Sequence, residues 1–282
     1  MQVAQAIDTA PSVVAGLSYL TPTSERPYTY MYEPPEGMAR ENCEYEFRSV
    51  EIADARQAPV PASLEWQGFE LWGAPSSIKD FRDEAAVRSV YYAEMAELAL
   101  AVTGATRAFM FDHQVRRREA DRRALTFGRN GDGTQPAAVG RIHNDYTEES
   151  GRRRLSMVSG EDPSSVKRFS IVNIWRPIKG PVLDTPLAVC DARTVSAADL
   201  ISSEVRYPTR SGEICLVVHS PRHRWHYYSG MERGEALVFK QYDSQREGVS
   251  RFTPHAAFDH PEAPADAPLR ESIEGRCLVV YD

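Results

Sequence analysis

The chain has 282 residues, of which 42% are hydrophobic, and a formal net charge of −7. This length suits one large domain or two small ones, and the negative charge argues against nucleic acid as a partner. No apolar run approaches the roughly 20 residues of a membrane helix, and the N-terminus lacks the basic segment of a signal peptide. The four cysteines are scattered without CxxC spacing, which favours a reduced, cytoplasmic protein over a zinc knuckle.

The first half of the chain predicts few regular elements. Residues 1–75 are expected to be irregular, with short strands. Residues 76–103 begin with serines that can cap a helix, carry apolar side chains at near-helical spacing and stop at Gly104, so they predict a helix. The strand "RAFMFDH" and a charged connector that ends in the turn cluster "NGDG" follow. We interpret residues 76–136 as a helical support.

From about residue 137 short apolar segments alternate with turns. Examples are "RFSIVNIWRPI", "EICLVVHS", "EALVFKQYD" and "GRCLVVYD". Regularly spaced short strands of this kind are typical of a β-sandwich or barrel. Strand–helix alternation is absent, which excludes a doubly wound fold. We therefore predict a mainly β protein, with residues 137–282 as a distorted jelly roll and helices packed outside it.

The stretch "RIHNDYTEES" contains a candidate pair of metal ligands. His143 and Asp145 lie two residues apart, so on a strand both side chains point to one face. Two histidines and one carboxylate with open positions are the ligand set of non-haem Fe(II) oxygenases. The pair alone is weak evidence for a metal site, because most such pairs are structural or lie at the surface. A third ligand is needed.

Two later histidines can supply the third ligand, His226 in "RWHYYS" and His255 in "RFTPHAAF". Arg270 and Ser272 follow His255 and lie two apart on one strand face. A guanidinium matches a carboxylate in two hydrogen bonds, so this pair is suited to the far carboxylate of a 2-oxoglutarate co-substrate.

Downstream of His226 the nearest cationic substitute in a strand is Lys240. We favour the triad of His143, Asp145 and His255, with His226 as the alternative third ligand.

The order His-x-Asp, a lone His, then Arg-x-Ser resembles the Fe(II)/2-oxoglutarate-dependent dioxygenases. More narrowly, the stretches "FMFDHQVRR", "RIHNDYTEESGRRRL", "VNIWRPIKGPVLDTPLAVCDARTV", "HRWHYYSGMERGEALVFKQYDS" and "RESIEGRCLVVY" are similar to the fungal hydroxylase/desaturase family. That family includes gibberellin desaturase and a cephem-methoxylation protein, and aziridine-forming oxygenases are related to it. The resemblance runs from about residue 67 to the C-terminus.

The resemblance implies a single domain over residues 1–282 with a cupin-like double-stranded β-helix. It implies Fe(II), 2-oxoglutarate and O2 as cofactors, with release of succinate and CO2. The expected reaction is hydroxylation, desaturation or oxidative ring closure on a small secondary metabolite or amino-acid-derived compound. His143, Asp145 and His255 are then the metal ligands, and Arg270 and Ser272 bind the co-substrate.

Side chains near the predicted metal strand are candidates for substrate contact. They come from strands beside it and from the "FDHQVR" stretch: Tyr146, Asn173, Trp175, Arg176, His226, Tyr228, Lys240, Tyr242, Phe258, His113 and Arg116. Several of these aromatic residues serve equally well as core. Regular alternation would turn Arg176 to the opposite face from its neighbours.

Two other functions compete with the oxygenase. A β-helix protein that has lost catalysis could serve as an accessory or binding protein, although an intact triad with Arg270 has no purpose there. A zinc hydrolase with the same ligands would need a general base beside the metal-bound water, and Arg-x-Ser would have no role in it. The oligomeric state does not follow from the sequence.

Overall fold

The computed structural model describes residues 10–129 and 136–282; the "NGDG" turn cluster lies outside these ranges. Within them, sixteen strands form two large, mostly antiparallel sheets. The strands are β1 (Ser12–Leu20), β2 (Tyr28–Tyr30), β3 (Tyr45–Asp54), β4 (Phe69–Gly73), β5 (Arg107–Arg117), β6 (Phe127–Arg129), β7 (Pro136–Val139), β8 (His143–Asn144), β9 (Arg168–Pro177), β10 (Leu187–Cys190), β11 (Leu200–Arg206), β12 (Ser211–Val217), β13 (Trp225–Tyr227), β14 (Glu235–Asp243), β15 (His255–Ala257) and β16 (Glu271–Tyr281).

The helical elements are few. They are α1 (Glu84–Ala86), a π-helical turn (Val87–Tyr91), α2 (Tyr92–Thr103), α3 (Glu148–Ser159) and three 3-10 turns at Ala55–Gln57, Ala192–Thr194 and Ala197–Asp199. No helix of the described ranges has the length and apolar character to cross a bilayer.

The two sheets enclose the core that carries the candidate site. One sheet has the order β1-β3-β13-β10-β15-β8-β12-β11-β2, and the other has the order β4-β14-β9-β16-β5-β7-β6. Val189 of the first sheet packs with Trp175 and Phe239 of the second in one buried cluster. Two facing sheets of this kind are a jelly roll, which confirms the predicted mainly β fold with flanking helices.

The outer face of the seven-stranded sheet is covered by α2. Ile273, Cys277 and Val279 of β16 form a buried cluster there with side chains of the helix. Even-numbered residues of β16 point inward instead, so that Leu278 and Val280 belong to a different cluster. Successive side chains of β16 alternate between the two faces of the sheet, so one row packs against the helix and the other lies inside the jelly roll.

The helix begins later than predicted, at Glu84 rather than near residue 76. Asp83 is its N-cap, since its side chain accepts a hydrogen bond from the Ala86 amide at 3.0 Å. The hydroxyl of Ser77 instead donates to Glu94 of α2 at 2.5 Å. The serines therefore bind the side of α2 and do not cap its start. Only part of the predicted helical support at 76–136 is helical.

The N-terminal region is more regular than predicted. β1 and β3 pair over nine positions, and β3 continues into the nine-stranded sheet through β13. The β core is therefore not confined to residues 137–282, because residues before 75 supply four strands of the two sheets. The nine-stranded sheet also curls, since isolated bridges join Ser18 to Arg141 and Leu20 to Val218.

Candidate active site

The predicted ligand pair lies on a short inner strand. β8 carries His143 and lies between β12 and β15, where His143 pairs directly with His255. The ligand atoms of His143, Asp145 and His255 all lie within 4.8 Å of one another. The distant His255 thus joins the His143–Asp145 pair because β8 and β15 are neighbours in one sheet.

The two imidazoles are oriented by backbone carbonyls. Nδ1 of His143 lies 2.9 Å from the Arg141 carbonyl oxygen, and Nδ1 of His255 lies 3.4 Å from that of Thr253. A carbonyl oxygen only accepts, so each Nδ1 carries the proton and each Nε2 carries the lone pair. Such hydrogen bonds fix the tautomer of metal-binding histidines.

The Asp145 carboxylate accepts its side-chain hydrogen bonds on one oxygen. Its Oδ2 accepts hydrogen bonds from Asn173 Nδ2 and Arg276 Nε, both at 2.8 Å. Its Oδ1 lies 3.6 Å from His143 Nε2. One oxygen is therefore fixed by the protein, and the other faces the histidines.

The electrostatics favour the ligand form of all three groups. Burial lowers the pKa of His143 and of His255 to about 4, so both are neutral at pH 7. Burial alone would raise the pKa of Asp145, but Arg276 and the two histidines hold it well below its usual range. Burial, with Asp145 nearby, raises the pKa of the Glu274 carboxyl.

His226, the alternative third ligand, lies elsewhere. It pairs with Val189 across β13 and β10, and its ring centre is 5.4 Å from that of Phe69. Among the described residues, the grouping of possible metal ligands contains His255 and not His226.

Arg270 and Ser272 are both buried, at the start of β16. The Arg270 guanidinium lies 5.5 Å from the Trp175 ring centre, and its Nη1 donates to the Thr185 carbonyl. Its Nε is buried without a hydrogen-bond partner among the described residues. Burial lowers the pKa of Arg270 to about 10, and the nearby Arg116 adds to the shift. It is still cationic at pH 7, and its Nε is a donor that it can offer to a carboxylate.

A cavity of about 820 Å³ opens on the triad, with His143 and Asp145 in its wall. Three predicted substrate residues also line it: Tyr146, Arg116 and His113. The His113 ring, however, hydrogen-bonds Tyr92 at 3.0 Å and contacts a Glu84 oxygen at 3.0 Å. These contacts tie its side chain to α1 and α2 while it lines the cavity, so its role in substrate contact stays a prediction.

The other predicted substrate residues lie outside the cavity wall: Asn173, Trp175, Arg176, His226, Tyr228, Lys240, Tyr242 and Phe258. Asn173 reaches the site indirectly, through its hydrogen bond to Asp145. Arg176 lies on the outer sheet face, 5.2 Å from the Tyr91 ring centre. Strand alternation explains this placement, as expected from the sequence, since Trp175 and Arg176 must point to opposite sides.

Packing explains where the remaining predicted residues lie. Trp175 and Tyr228 belong to the apolar cluster between the sheets, and Phe258 belongs to a second one. The Lys240 ammonium is paired with Asp243 at 3.0 Å. The Tyr242 hydroxyl donates to Glu148 of α3. These side chains are committed to the core or to internal pairs.

Three residues at the site were not predicted. Arg276 and Glu274 lie on the inward row of β16, where Arg276 Nη2 donates to Glu274 at 3.1 Å. Gln241 accepts a hydrogen bond from the Asp145 amide at 2.8 Å. Continuing the alternation from Ser272 by two and four residues would have found the first two. Gln241 gave no signal, because it lies at a bulge in β14.

The donor set fits Fe(II). Two neutral imidazoles and one carboxylate on one side of a site are the ligands of non-haem Fe(II) oxygenases. The unpartnered Arg270 Nε, buried beside Ser272, fits a co-substrate carboxylate.

Comparison with known proteins agrees with this chemistry. A family model described as "Oxidoreductase/YMDC permease-like domain" matches residues 17–280. The hydroxylase/desaturase efuI of Hormonema carpetanum is 31% identical, over 97% of this chain and 96% of its own length. The Fe(II)/2-oxoglutarate-dependent dioxygenase nvfI of Aspergillus novofumigatus is 34% identical, over 91% of each chain.

A solved structure gives the same result. The iron and alpha-ketoglutarate-dependent endoperoxidase NvfI superposes with a TM-score of 0.84 at 30% identity, over 96% of this chain and 98% of its own. This confirms the double-stranded β-helix and implies Fe(II), 2-oxoglutarate and O2 as cofactors. The chain belongs to the Fe(II)/2-oxoglutarate-dependent dioxygenases of the hydroxylase/desaturase type.

Proposed function

We propose that His143, Asp145 and His255 bind the catalytic Fe(II). The observation that carries this assignment is the convergence of their three ligand atoms within 4.8 Å, beside a large cavity that His143 and Asp145 line. The fixed tautomers and the one-sided hold on Asp145 support it, because they leave one donor atom of each residue directed at a common point.

We propose that Arg270 and Ser272 hold the far carboxylate of 2-oxoglutarate. Arg116 lies opposite Ser272 across β5 and β16 and lines the cavity. Arg116 and Arg270 together form a cationic corner beside the triad. The cationic corner favours a dianionic co-substrate, and burial strengthens its hydrogen bonds.

Bound Fe(II), with 2-oxoglutarate and O2, supplies an oxidant that removes hydrogen from a substrate, with release of succinate and CO2. The protein contributes position and shielding. Arg276 and Asn173 keep Asp145 ionised and turned towards the metal, and Gln241 holds the adjacent backbone. The cavity orients the substrate over the site.

The substrate is proposed to be a small secondary metabolite or an amino-acid-derived compound, and the product an alcohol, an alkene or a ring. The names of two similar proteins, a hydroxylase/desaturase and an endoperoxidase, support this range of outcomes. We also propose that residues 1–282 act as one domain in the cytoplasm, without nucleic acid or membrane as partner. The negative charge and the four free cysteines support this.

The first experiment is anaerobic spectroscopy. Protein mixed with Fe(II) and 2-oxoglutarate should develop a weak visible metal-to-ligand absorption band. His255→Ala should abolish the band. His226→Ala is the matched control, a buried histidine outside the triad, and should retain it.

Other outcomes would change the assignment. Loss of the band in His226→Ala alone would make His226 the third ligand and Lys240 the co-substrate anchor. Metal binding without a band would favour an accessory protein or a zinc hydrolase. Fe(II)-dependent release of succinate would exclude both of these alternatives.

A further inference from the structure

The wall of the cavity carries more positive than negative charge. Five arginines line it: Arg116, Arg153, Arg154, Arg210 and Arg276. Three carboxylates line it as well, Asp112, Asp145 and Glu213. A surplus of guanidinium groups in a concave site favours an anionic ligand.

The carboxylates of the wall are already engaged by other cations. Arg276 pairs with both Asp145 and Asp112. Glu213 pairs with Arg26, outside the cavity wall, and accepts a hydrogen bond from Thr147 at 3.1 Å. These acids therefore do not neutralise the arginines on the far wall.

That far wall is formed by α3 and by the turn between β11 and β12. Within residues 10–129 and 136–282, neither Arg154 nor Arg210 has a carboxylate within ion-pair distance, whereas Arg153 has only an exposed contact of 4.0 Å with Glu149. An exposed pair of this length contributes little.

Arg154 is prepared to receive a planar anion. Its guanidinium carbon lies 4.9 Å from the Phe111 ring centre and 5.9 Å from that of Tyr146. Aromatic contact holds the guanidinium while leaving its donors available for two parallel hydrogen bonds. Its Nε is buried and has no partner among the described residues, which is costly unless a ligand supplies an acceptor.

Arg154 lies near the reacting end of the cavity. Tyr146, against which it packs, directly follows the ligand Asp145. Apolar side chains complete the wall, among them Val139, Met157 and Ile214. The wall thus combines a buried cationic donor with apolar surface.

We propose that the substrate carries a carboxylate that binds Arg154, with Arg210 as a second cation at the rim, while its apolar body lies over the triad. This inference names the substrate class of the proposed oxygenase site and so rests on that function. The site then has two cationic groups: Arg270 binds the co-substrate, and Arg154 with Arg210 binds the substrate.

The test uses acid and amide pairs of one shape. Protein loaded with Ni(II) and 2-oxoglutarate, which does not turn over, is titrated calorimetrically with 4-phenylbutyrate, octanoate and N-acetyl-leucine, and with the primary amide of each. At least one acid should bind about tenfold or more tightly than its amide. Arg154→Gln should remove about 10- to 100-fold of that affinity, the range for hydrogen bonds to charged groups.

Two further variants guard against misfolding. Arg154→Lys keeps the positive charge but loses the planar guanidinium. Its affinity for the acids should lie between that of the wild type and that of Arg154→Gln. Arg152→Gln is the matched control, because Arg152 is the neighbouring helix residue, pairs with Glu148 and is absent from the cavity wall. It should bind the acids as wild type does.

The outcomes separate this inference from the proposed function. Equal binding of every acid and its amide would overturn the inference, even if the Fe(II)–2-oxoglutarate band forms. A weaker affinity for 2-oxoglutarate itself in Arg154→Gln would also overturn it, since Arg154 would then bind the co-substrate. Absence of the band in wild type would instead reject the proposed function.

Discussion

Asp145 depends on a single guanidinium for much of its orientation. Arg276 donates through Nε to Asp145, through Nη1 to Asp112 at 2.9 Å and through Nη2 to Glu274. The guanidinium reaches these three acceptors from three separate nitrogens, whereas all donors of a lysine ammonium lie on one nitrogen. The geometry of the carboxylate therefore depends on arginine at this position, beyond the need for a positive charge.

Replacing this guanidinium while keeping the charge should weaken metal binding. We expect Arg276→Lys to lower the affinity of the apoprotein for Co(II) about 10- to 100-fold, as is typical for groups that orient metal ligands. Competition with a coloured chelator measures the dissociation constant, and thermal unfolding checks the fold.

Arg82→Lys is the control for that variant. Arg82 pairs with Glu271, on the outward row of the same strand, so its replacement should not change the Co(II) affinity. Unchanged affinity in Arg276→Lys would mean that Asn173 alone suffices to orient Asp145.

At this scale the sequence predicted the grouping of the three candidate ligands better than their surroundings. His143 and Asp145 followed from strand periodicity, and Arg270 with Ser272 favoured His255 over His226. The substrate residues were chosen by proximity in sequence. Trp175 and Tyr228 lie in the hydrophobic core, and Arg176 faces the helix. The sequence does not show to which face of the sheet a given row of side chains points.

At the scale of elements, α3 shapes the site although it was not predicted. The segment 147–166 is rich in charge, Gly and Ser, a composition that favours a loop. Thr147 and Ser150 form a reciprocal cap at its start, and Gly160 ends it in a left-handed conformation. The cap was visible in the sequence, but the helix buries only a narrow face, so apolar periodicity did not reveal it.

Gly151 sets how closely α3 approaches the sheet. A Cβ at this position would lie 2.6 to 2.9 Å from ring atoms of Tyr242 on β14. The Tyr242 ring is fully buried and cannot move aside without disturbing its neighbours. Glycine is therefore retained here for close packing, against its poor helix propensity.

We expect Gly151→Ala to destabilise the protein by about 1–3 kcal/mol, the usual cost of overpacking a filled core. Helix propensity alone predicts the opposite sign, a gain of up to about 1 kcal/mol. Urea unfolding followed by circular dichroism measures the difference. Ser156→Ala, at an exposed site of the same helix, should change stability by less than the Gly151 variant, and a stabilised Gly151→Ala would contradict the packing argument.

At the scale of the whole molecule, the sequence predicted the jelly roll from its short, evenly spaced strands. It missed β1 and β3, whose alternation is blurred by exposed apolar residues such as Val14 and Phe47. It could not show that the N-terminal strand joins the sheet that carries the triad, because that pairing links residues far apart in the chain. Such long-range contacts depend on tertiary packing and not on local pattern.

One buried histidine connects the N-terminal strand to the rest of this sheet. Nδ1 of His223 lies 3.1 Å from the Tyr19 hydroxyl of β1, and its Nε2 lies 3.3 Å from Asp199. The exposed His219 and Arg222 complete its charged surroundings. Burial lowers the pKa of His223, and the opposing attraction of Asp199 does not restore it.

This shift predicts an acid-sensitive fold. The unfolded chain binds the His223 proton near pH 6.5, whereas the folded protein binds it only at lower pH. Between these two values the unfolded state holds more protons, so stability is full above about pH 7 and falls as the pH decreases, by at most about 1.4 kcal/mol per pH unit for one group. The buried His143 and His255 add to the same slope, so His223→Gln should reduce, without abolishing, the dependence of unfolding free energy on pH between 7 and 5.5, while His219→Gln, on the same loop, should leave the wild-type slope. Equal slopes for wild type and His223→Gln would show that the contact between β1 and this loop does not sense pH, and that acid stability is governed by other groups.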